Sequence, residues 1–544
     1  MAADKQIQRD INRGLAWIGL ASSTVGALDI LANVLILALW VSPAEYGIAT
    51  LAVSLFPALD RATDLGLFAA VIQRDDHSDS KISTVFWLNV GMSVVLLAAL
   101  AFAIGPGLSW LYGQPLVGAM LTVYGLKLVW QNVYFIPAAM MQRELRFKEL
   151  SVIRMLANIA EFAGKVGFAA AGYGIWCFVL GPLARVLITG IGTQLRHPWR
   201  PRLIFRLREA LGWAAYGFKI SAHKILFQLY TNADYTVVGA VFGVTAVGYY
   251  RFAYELVLEP ARVISEVVQQ IAFPVFSRLK NNAVMLREQF ISFSRMNLVV
   301  MLGFLAMLFL CADLLVEVVY GVQWLPAVAA VKILSAVAVL RAMSFMVPPL
   351  LDGMGYPGRT LLYTAVASIV LPACFVIAAL FAVDSYALGD LWTYGAAVDW
   401  LSPAPARDLA VGDVHDFLSV AWAWVVGYPV AFFVLAAMAL RVLDLRASQY
   451  IRRVSGIVVA AAIALGGGYA IRWGMAAVGA PDLVTLIAVA GGALGIFALL
   501  LAILEGITVA QVVRSLKGGE TAAEASTAAP DTLSSGSMVS GEEG

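Results

Sequence analysis

The feature that most constrains this chain is its succession of apolar runs, each about 20 residues or longer, separated by short polar or turn-rich breaks. A run of that length crosses the ~30 Å hydrocarbon layer as an α-helix. Inside that layer every backbone N–H and C=O needs a partner within the protein, which a helix supplies from its own segment. Composition agrees: of 544 residues 61% are hydrophobic and only 13% charged, with a mean hydropathy of +0.82. A soluble chain carries about 25% charged residues. The expected fold class is an all-α polytopic membrane protein.

Fourteen spans are predicted, at about 15–40, 47–72, 83–106, 115–140, 152–171, 174–194, 212–242, 246–276, 296–320, 325–351, 360–382, 417–440, 454–474 and 483–510. Lys and Arg collect on the cytoplasmic side of membrane proteins. With the N-terminus inside, the inward segments hold 25 of the 37 basic residues, including Arg196, Arg200, Arg202, Arg206 and Arg208. The outward segments hold only Arg407 and Arg472. A miscounted span would scramble this alternation, so both termini are expected in the cytoplasm. The polar start, Met1 to Arg13, leads into an apolar run too long for a signal-peptide core, so the first span is expected to be its own insertion signal. Cys177, Cys311 and Cys374 fall in separate spans without metal-ligand spacing and read as small buried apolar residues. No metal and no resident cofactor is expected.

One outward loop, 383–416, is long and carries six Asp against Arg407 alone. It reads as a solvated insertion or a small extracytoplasmic cap. The tail after Lys517 is rich in Gly, Ala, Ser, Thr and Glu without apolar periodicity and is expected to be disordered.

Ten basic residues remain inside spans, each costing ~2.5–3.5 kcal/mol at a helix centre even on insertion scales. Lys219 and Lys332 lie near span ends and can snorkel, and Lys165 is spaced to pair with Glu161. The mid-span group Arg61, Lys127, Arg185, Lys224, Arg251, Arg262 and Arg341 is the candidate substrate-binding set. In the eighth span Arg251, Glu255, Glu259, Arg262 and Glu266 share one helical face. Such a stripe either lines a water-filled cavity or forms an ion-pair seam between helices. Pro260 in its middle removes a backbone hydrogen bond and is a candidate hinge, as is Pro57 in the second span. Asp60 and Asp64 share a face there and require a cation, a proton or a partner Arg. Asp29 with Asn33 in the first span could hold Na⁺ or a proton, or make a helix–helix hydrogen bond; Asp234 in the seventh joins the counter-charge set with Glu255, Glu259 and Glu266.

Excess Arg and Lys at membrane depth suits a phosphate-bearing substrate, since guanidinium forks match phosphate oxygens and low dielectric strengthens the attraction. That points to a phospholipid or a polyprenyl-linked sugar and away from organic cations, so a drug-cation antiporter is the weaker transporter reading. A membrane polymerase or ligase acting on the same lipid carrier is the enzyme alternative. It leaves unexplained an internal repeat, in which Tyr46-Gly47 and Arg61 align at an offset of 201 with Val247-Gly248 and Arg262. Tyr112-Gly113 then aligns with Tyr320-Gly321, and Pro137 with Pro348, at slightly larger offsets. Both repeats start on the same side, so they are parallel and related about an axis along the membrane normal.

Segments in order along the chain carry a further signal: Ser42-Pro43-Ala44-Glu45-Tyr46-Gly47-Ile48, Thr63-Asp64-Leu65-Gly66-Leu67, Gln142-Arg143-Glu144-Leu145-Arg146-Phe147, Phe273-Pro274-Val275-Phe276-Ser277-Arg278-Leu279, Gln323-Trp324-Leu325-Pro326 and Gly355-Tyr356-Pro357-Gly358. Together these resemble the Wzx-like polysaccharide transporters of the multidrug/oligosaccharidyl-lipid/polysaccharide superfamily. The resemblance implies two pseudo-symmetric six-helix lobes plus two additional helices, closing on a central cationic cavity. It implies a flippase, not an enzyme, that moves undecaprenyl-pyrophosphate-linked oligosaccharide from the inner to the outer leaflet of a bacterial cytoplasmic membrane, for exopolysaccharide, capsule or O-antigen synthesis. Coupling to a H⁺ or Na⁺ gradient, contact with membrane lipid and with a polymerase and co-polymerase, and no nucleic-acid partner follow from the same resemblance. The expected division is an N-terminal lobe over 1–195, a basic cytoplasmic linker over 196–211, a C-terminal lobe over 212–440, two extra helices over 441–515 and a tail over 516–544.

Overall fold

The structure of the protein is a computed structural model that describes residues 24, 26, 28–64, 71, 79–144, 146–206, 226–228, 230–388 and 417–507. Among these residues every regular element is helical. In chain order the helices are α1 (Leu28–Leu39), α2 (Pro43–Val53), α3 (Phe56–Asp64), α4 (Asp79–Leu111), α5 (Pro115–Val133), α6 (Phe135–Arg143), α7 (Phe147–Phe168) and α8 (Cys177–Arg196). There follow α9 (Ala233–Leu279), α10 (Ala283–Tyr320), α11 (Val328–Ser344), α12 (Val347–Gly353), α13 (Pro357–Leu388), α14 (Leu418–Leu443), α15 (Ala447–Val478) and α16 (Asp482–Glu505).

Nine helical stretches among the described residues are long and apolar enough to cross a membrane, fewer than the fourteen spans expected. Part of the difference lies in tight glycine turns that leave neighbouring spans continuous. The stretch Phe147–Arg196 reverses where Gly172 and Gly174 take φ of +85° and +52°. Helix α9 leaves helical angles at Gly243, φ +83°, so its two arms fold back on each other. The hydroxyl of Tyr250 donates to Asp234 Oδ2 at 2.9 Å, and Arg251 Nη1 donates to the hydroxyl of Tyr235 at 2.8 Å; both pairs straddle that turn. Only glycine adopts these angles without steric cost. The eleventh span runs further than expected, with α13 extending to Leu388; loop residues 389–416, the tail and linker residues 207–211 lie outside the described residues.

Helices α2, α4, α5, α7 and α8 pack among themselves, as do α9, α10, α11, α13 and α14. The main helix contact between the two groups is α2 against α9, made at two glycines. A Cβ on Gly47 would come 1.7 Å from the carbonyl oxygen of Val244, and one on Gly248 would come 1.8 Å from that of Pro43. Gly47 and Gly248, like Pro43 and Val244, are related by the 201-residue offset of the sequence repeat, so the two backbones cross about a local two-fold. Above one side of the crossing sits an aromatic plug. Trp324 is fully buried, stacks 4.6 Å from Phe252, meets Tyr46 edge-on at 5.9 Å and donates from Nε1 to the carbonyl of Leu37 at 3.0 Å.

The linker residues that are described form a strap across one end of the first group. Arg202 pairs with Asp79 at 2.7 Å, Trp87 Nε1 donates to the carbonyl of Arg202 at 2.9 Å, and Trp199 packs on Phe86. Helices α15 and α16 pack on each other and on α10, with Arg472 forked onto Asp313 and Arg295 paired with Glu505.

Candidate functional site

The second expected span is not one helix. Helix α2 ends at Val53, Ser54 and Leu55 form a turn, and α3 restarts at Phe56 with Pro57 in its first turn. Proline is tolerated there because the first-turn N–H groups have no intrahelical acceptor. The break therefore coincides with Pro57, as expected for a hinge. Helix α9 is helical through Pro260, and its departure from helical angles lies at Gly243. Nearby helices can re-satisfy a proline-freed carbonyl in a packed bundle, so the ring alone does not force a break.

Beside the α2–α3 break a cavity of about 540 Å³ opens between the two groups of helices. Its charged wall residues are Asp60, Lys127 and Arg251. Lys127 Nζ lies 3.0 Å from Asp60 Oδ2 and 5.2 Å from the Tyr124 ring centre. Arg251 pairs with Glu255 one turn further along α9 and stands 5.3 Å over the ring of Tyr235. Asn33 Nδ2 donates to Glu255 Oε2 at 3.3 Å, a polar contact from α1 of the first group to α9 of the second.

A second charge network links α1, α7 and α8. Lys165 Nζ lies 2.9 Å from Glu161 Oε1, the expected i,i+4 pair, and 3.3 Å from Asp29 Oδ1. Arg185 Nη1 lies 3.0 Å from Glu161 Oε2. Asp29 thus has an ammonium partner, and Asn33 reaches a different helix. Arg262 and Glu259 pair at 2.8 Å within α9, outside the cavity lining, with side chains 46% and 36% exposed. Among the described residues, the charged face of the eighth span includes two intrahelical pairs, of which Arg251–Glu255 has its Arg251 on the cavity.

Two candidates stand elsewhere. Asp234 is wholly buried and accepts from the Tyr250 hydroxyl and, at 2.9 Å, from the Tyr235 backbone N–H, tying the two arms of α9 together. Arg341 borders a separate cavity of about 60 Å³ inside the second group. The side chains of Arg61, Asp64 and Glu266, and Lys224 entirely, lie outside the described residues.

Asp60 and Glu255, both in the expected counter-charge set, stand beside the cations of the cavity. Among the described residues, the cations on or near it are each matched by a carboxylate within 3.0 Å. Desolvation explains this: an unpaired ion in a low-dielectric wall costs several kcal/mol, and pairing removes most of that cost. An uncharged polar wall, most of it outside the predicted site, completes the cavity. Gln131, Asn132, Gln228, Asn232 and the Tyr134 ring line the same cavity. Amides inside apolar runs were their signal in the sequence, and their donors and acceptors suit hydroxyl-rich ligands.

With the geometry known, comparisons with other proteins are informative. The chain is 29% identical over 295 residues to the teichuronic acid biosynthesis protein TuaB of Bacillus subtilis (strain 168), spanning 52% of this chain and 58% of that protein. It is 25% identical over 342 residues to the lipopolysaccharide biosynthesis protein WzxC of Escherichia coli (strain K12), spanning 61% of this chain and 67% of that protein. Its fold is similar to that of lipid II flippase MurJ in an inward closed conformation, with a TM-score of 0.63 at 14% identity over 89% of this chain and 98% of that one. The model of the family described as polysaccharide biosynthesis protein matches residues 36–329, more than half of the chain, and the chain belongs to that family.

Proposed function

We propose that this protein is a flippase for lipid-linked oligosaccharide, carrying polyprenyl-pyrophosphate-borne sugars from the cytoplasmic to the outer leaflet by alternating access. The observation that carries the reading is the cavity between two helix groups that cross at Gly47 and Gly248. It combines a wall of amides and hydroxyls with two cations, Lys127 and Arg251. Amides serve the sugar hydroxyls, and the cations serve the pyrophosphate. The polyprenyl tail stays in lipid. Names of the relatives support the substrate class, since they denote teichuronic acid and lipopolysaccharide biosynthesis.

Because Lys127 and Arg251 are already paired, substrate phosphate competes with Asp60 and Glu255 for them. A carboxylate so displaced gains a reason to take up a proton or Na⁺, which gives a route for gradient coupling through Asp60. In the same reading the fourteen-span layout holds, with two six-helix lobes, α15 and α16 as the additional pair, and the strap 196–206 on the cytoplasmic side. The Gly47–Gly248 crossing and the Trp324 plug then lie toward the outer face, and the cavity opens inward.

The test is translocation of a fluorescent polyprenyl-pyrophosphate oligosaccharide in proteoliposomes of the full chain. Transport is expected with wild type and lost in Lys127→Ala/Arg251→Ala. Equal rates in empty vesicles and wild-type proteoliposomes would refute the function.

A further inference from the structure

Arg341 is held unlike the other described cations of the candidate set. Lys127, Arg185, Arg251 and Arg262 each pair with a carboxylate. Arg341 has no ion pair among the described residues and is sandwiched by aromatic faces instead, 4.7 Å from the ring centre of Trp424 and 5.3 Å from that of Tyr254. Its Nη1 is shut off from solvent and has no hydrogen-bond partner among the described residues. Asp234, also in the second group, is engaged by Tyr250 and by the backbone N–H of Tyr235.

Arg341 borders a cavity of about 60 Å³, whose wall also includes Tyr230, Ser344, Tyr363, Trp424 and Tyr428. That volume holds about two waters at ~30 Å³ each. It excludes a sugar or a pyrophosphate and admits a monatomic anion. π faces satisfy the charge of an arginine only in part and leave its in-plane N–H donors unused. A buried donor without an acceptor is costly, and the cost is greatest for a charged one. Hydroxyl groups at the wall can add donors to an anion but cannot neutralise a cation.

We propose that this cavity is a binding site for a small monovalent anion of halide size, chloride being the probe of choice, with Arg341 as its counter-charge. The site stands apart from substrate translocation and from the central cavity. One helical segment nevertheless walls both: Gln228 and Asn232 face the large cavity, and Phe227 and Tyr230 the small one. An anion beside Arg341 therefore fixes a segment on which the shape of the central cavity depends.

The experiment is thermal unfolding of the full chain in detergent across a chloride titration, with gluconate keeping ionic strength constant. Chloride and bromide are expected to raise the midpoint by a few degrees and to saturate, and Arg341→Gln is expected to abolish the shift. An equal effect of gluconate, or an undiminished shift in Arg341→Gln, would overturn the site. Should Arg341→Gln not fold, crystals of the wild-type chain grown in bromide decide the matter. An anomalous peak in the cavity beside Arg341 supports the proposal, and its absence from the cavity refutes it.

Discussion

Two regions of this molecule, the charge network of α1, α7 and α8 and the surroundings of Arg341, bury their cations in different ways. In the first half Asp29, Lys165, Glu161 and Arg185 form a chain of opposite charges across three helices, and Lys127 is matched by Asp60. Each charge there has its neutralising partner. Arg341, in the second half, sits between Trp424 and Tyr254 with no carboxylate partner among the described residues, although Arg251 and Arg262 of the same half are ion-paired. Ion pairing satisfies a cation electrostatically and in hydrogen bonds together, whereas a π face supplies the electrostatic part alone. The first solution makes a settled wall that a substrate must unpair. The second leaves a donor in reserve.

The halves meet symmetrically even though their interiors differ, and the largest expected effect comes from breaking that meeting. Gly47→Val or Gly248→Val forces a side chain into a backbone carbonyl, where no flexible group can yield. Overpacking of this kind costs about 1–3 kcal/mol or more. Complementation of a deletion strain should show glycan export lost, with membrane insertion retained on an immunoblot. Normal export would mean that the crossing does not need to close.

Unpairing the first half should come next. Lys127→Met leaves Asp60 without its partner; breaking a buried pair costs ~3–5 kcal/mol, and the lower end applies because the Asp60 side chain is 24% exposed. Adding Asp60→Asn should recover most of the lost thermal stability in a double-mutant cycle, while transport stays impaired. Independent, additive losses would show that the pair is not coupled.

The two ends of the eighth span offer a sharper, smaller contrast. Arg251→Ala is expected to reduce transport at least about tenfold, equivalent to ~1.4 kcal/mol, whereas Arg262→Ala, in a more exposed pair outside the cavity lining, should cost less than about threefold. Proteoliposome rates decide, and the reverse order would move the substrate path toward Arg262. Smallest of all, Trp324→Phe keeps the ring stack but removes the bond to the Leu37 carbonyl. A loss of ~1 kcal/mol is expected in thermal unfolding, and an unchanged midpoint would show that the plug rests on stacking alone.

Much of the architecture was legible because it follows from local rules. Run length and hydropathy mark helices, the Lys165–Glu161 spacing marks a pair, and Pro57 marks a break. Pro260 stays within a helix for a physical reason: a proline's effect depends on what its freed carbonyl finds nearby, which lies in other helices. The fate of each mid-span cation was illegible on the same ground. Nothing adjacent in sequence tells Arg185 that Glu161 will face it, or Arg341 that Trp424 and Tyr254 will.

By itself, then, the sequence determined that the chain is a helical membrane protein with a repeated half and that its intramembrane charges require satisfaction. A 201-residue offset is readable in one dimension, as is the cost of a charge in hydrocarbon. Only the tertiary structure decided that the repeated glycines cross each other, that most described cations are neutralised, and that one cation is caged by aromatics beside an empty volume. Those outcomes depend on which distant side chains meet, and pairing across tens or hundreds of residues is fixed by packing, not by local pattern.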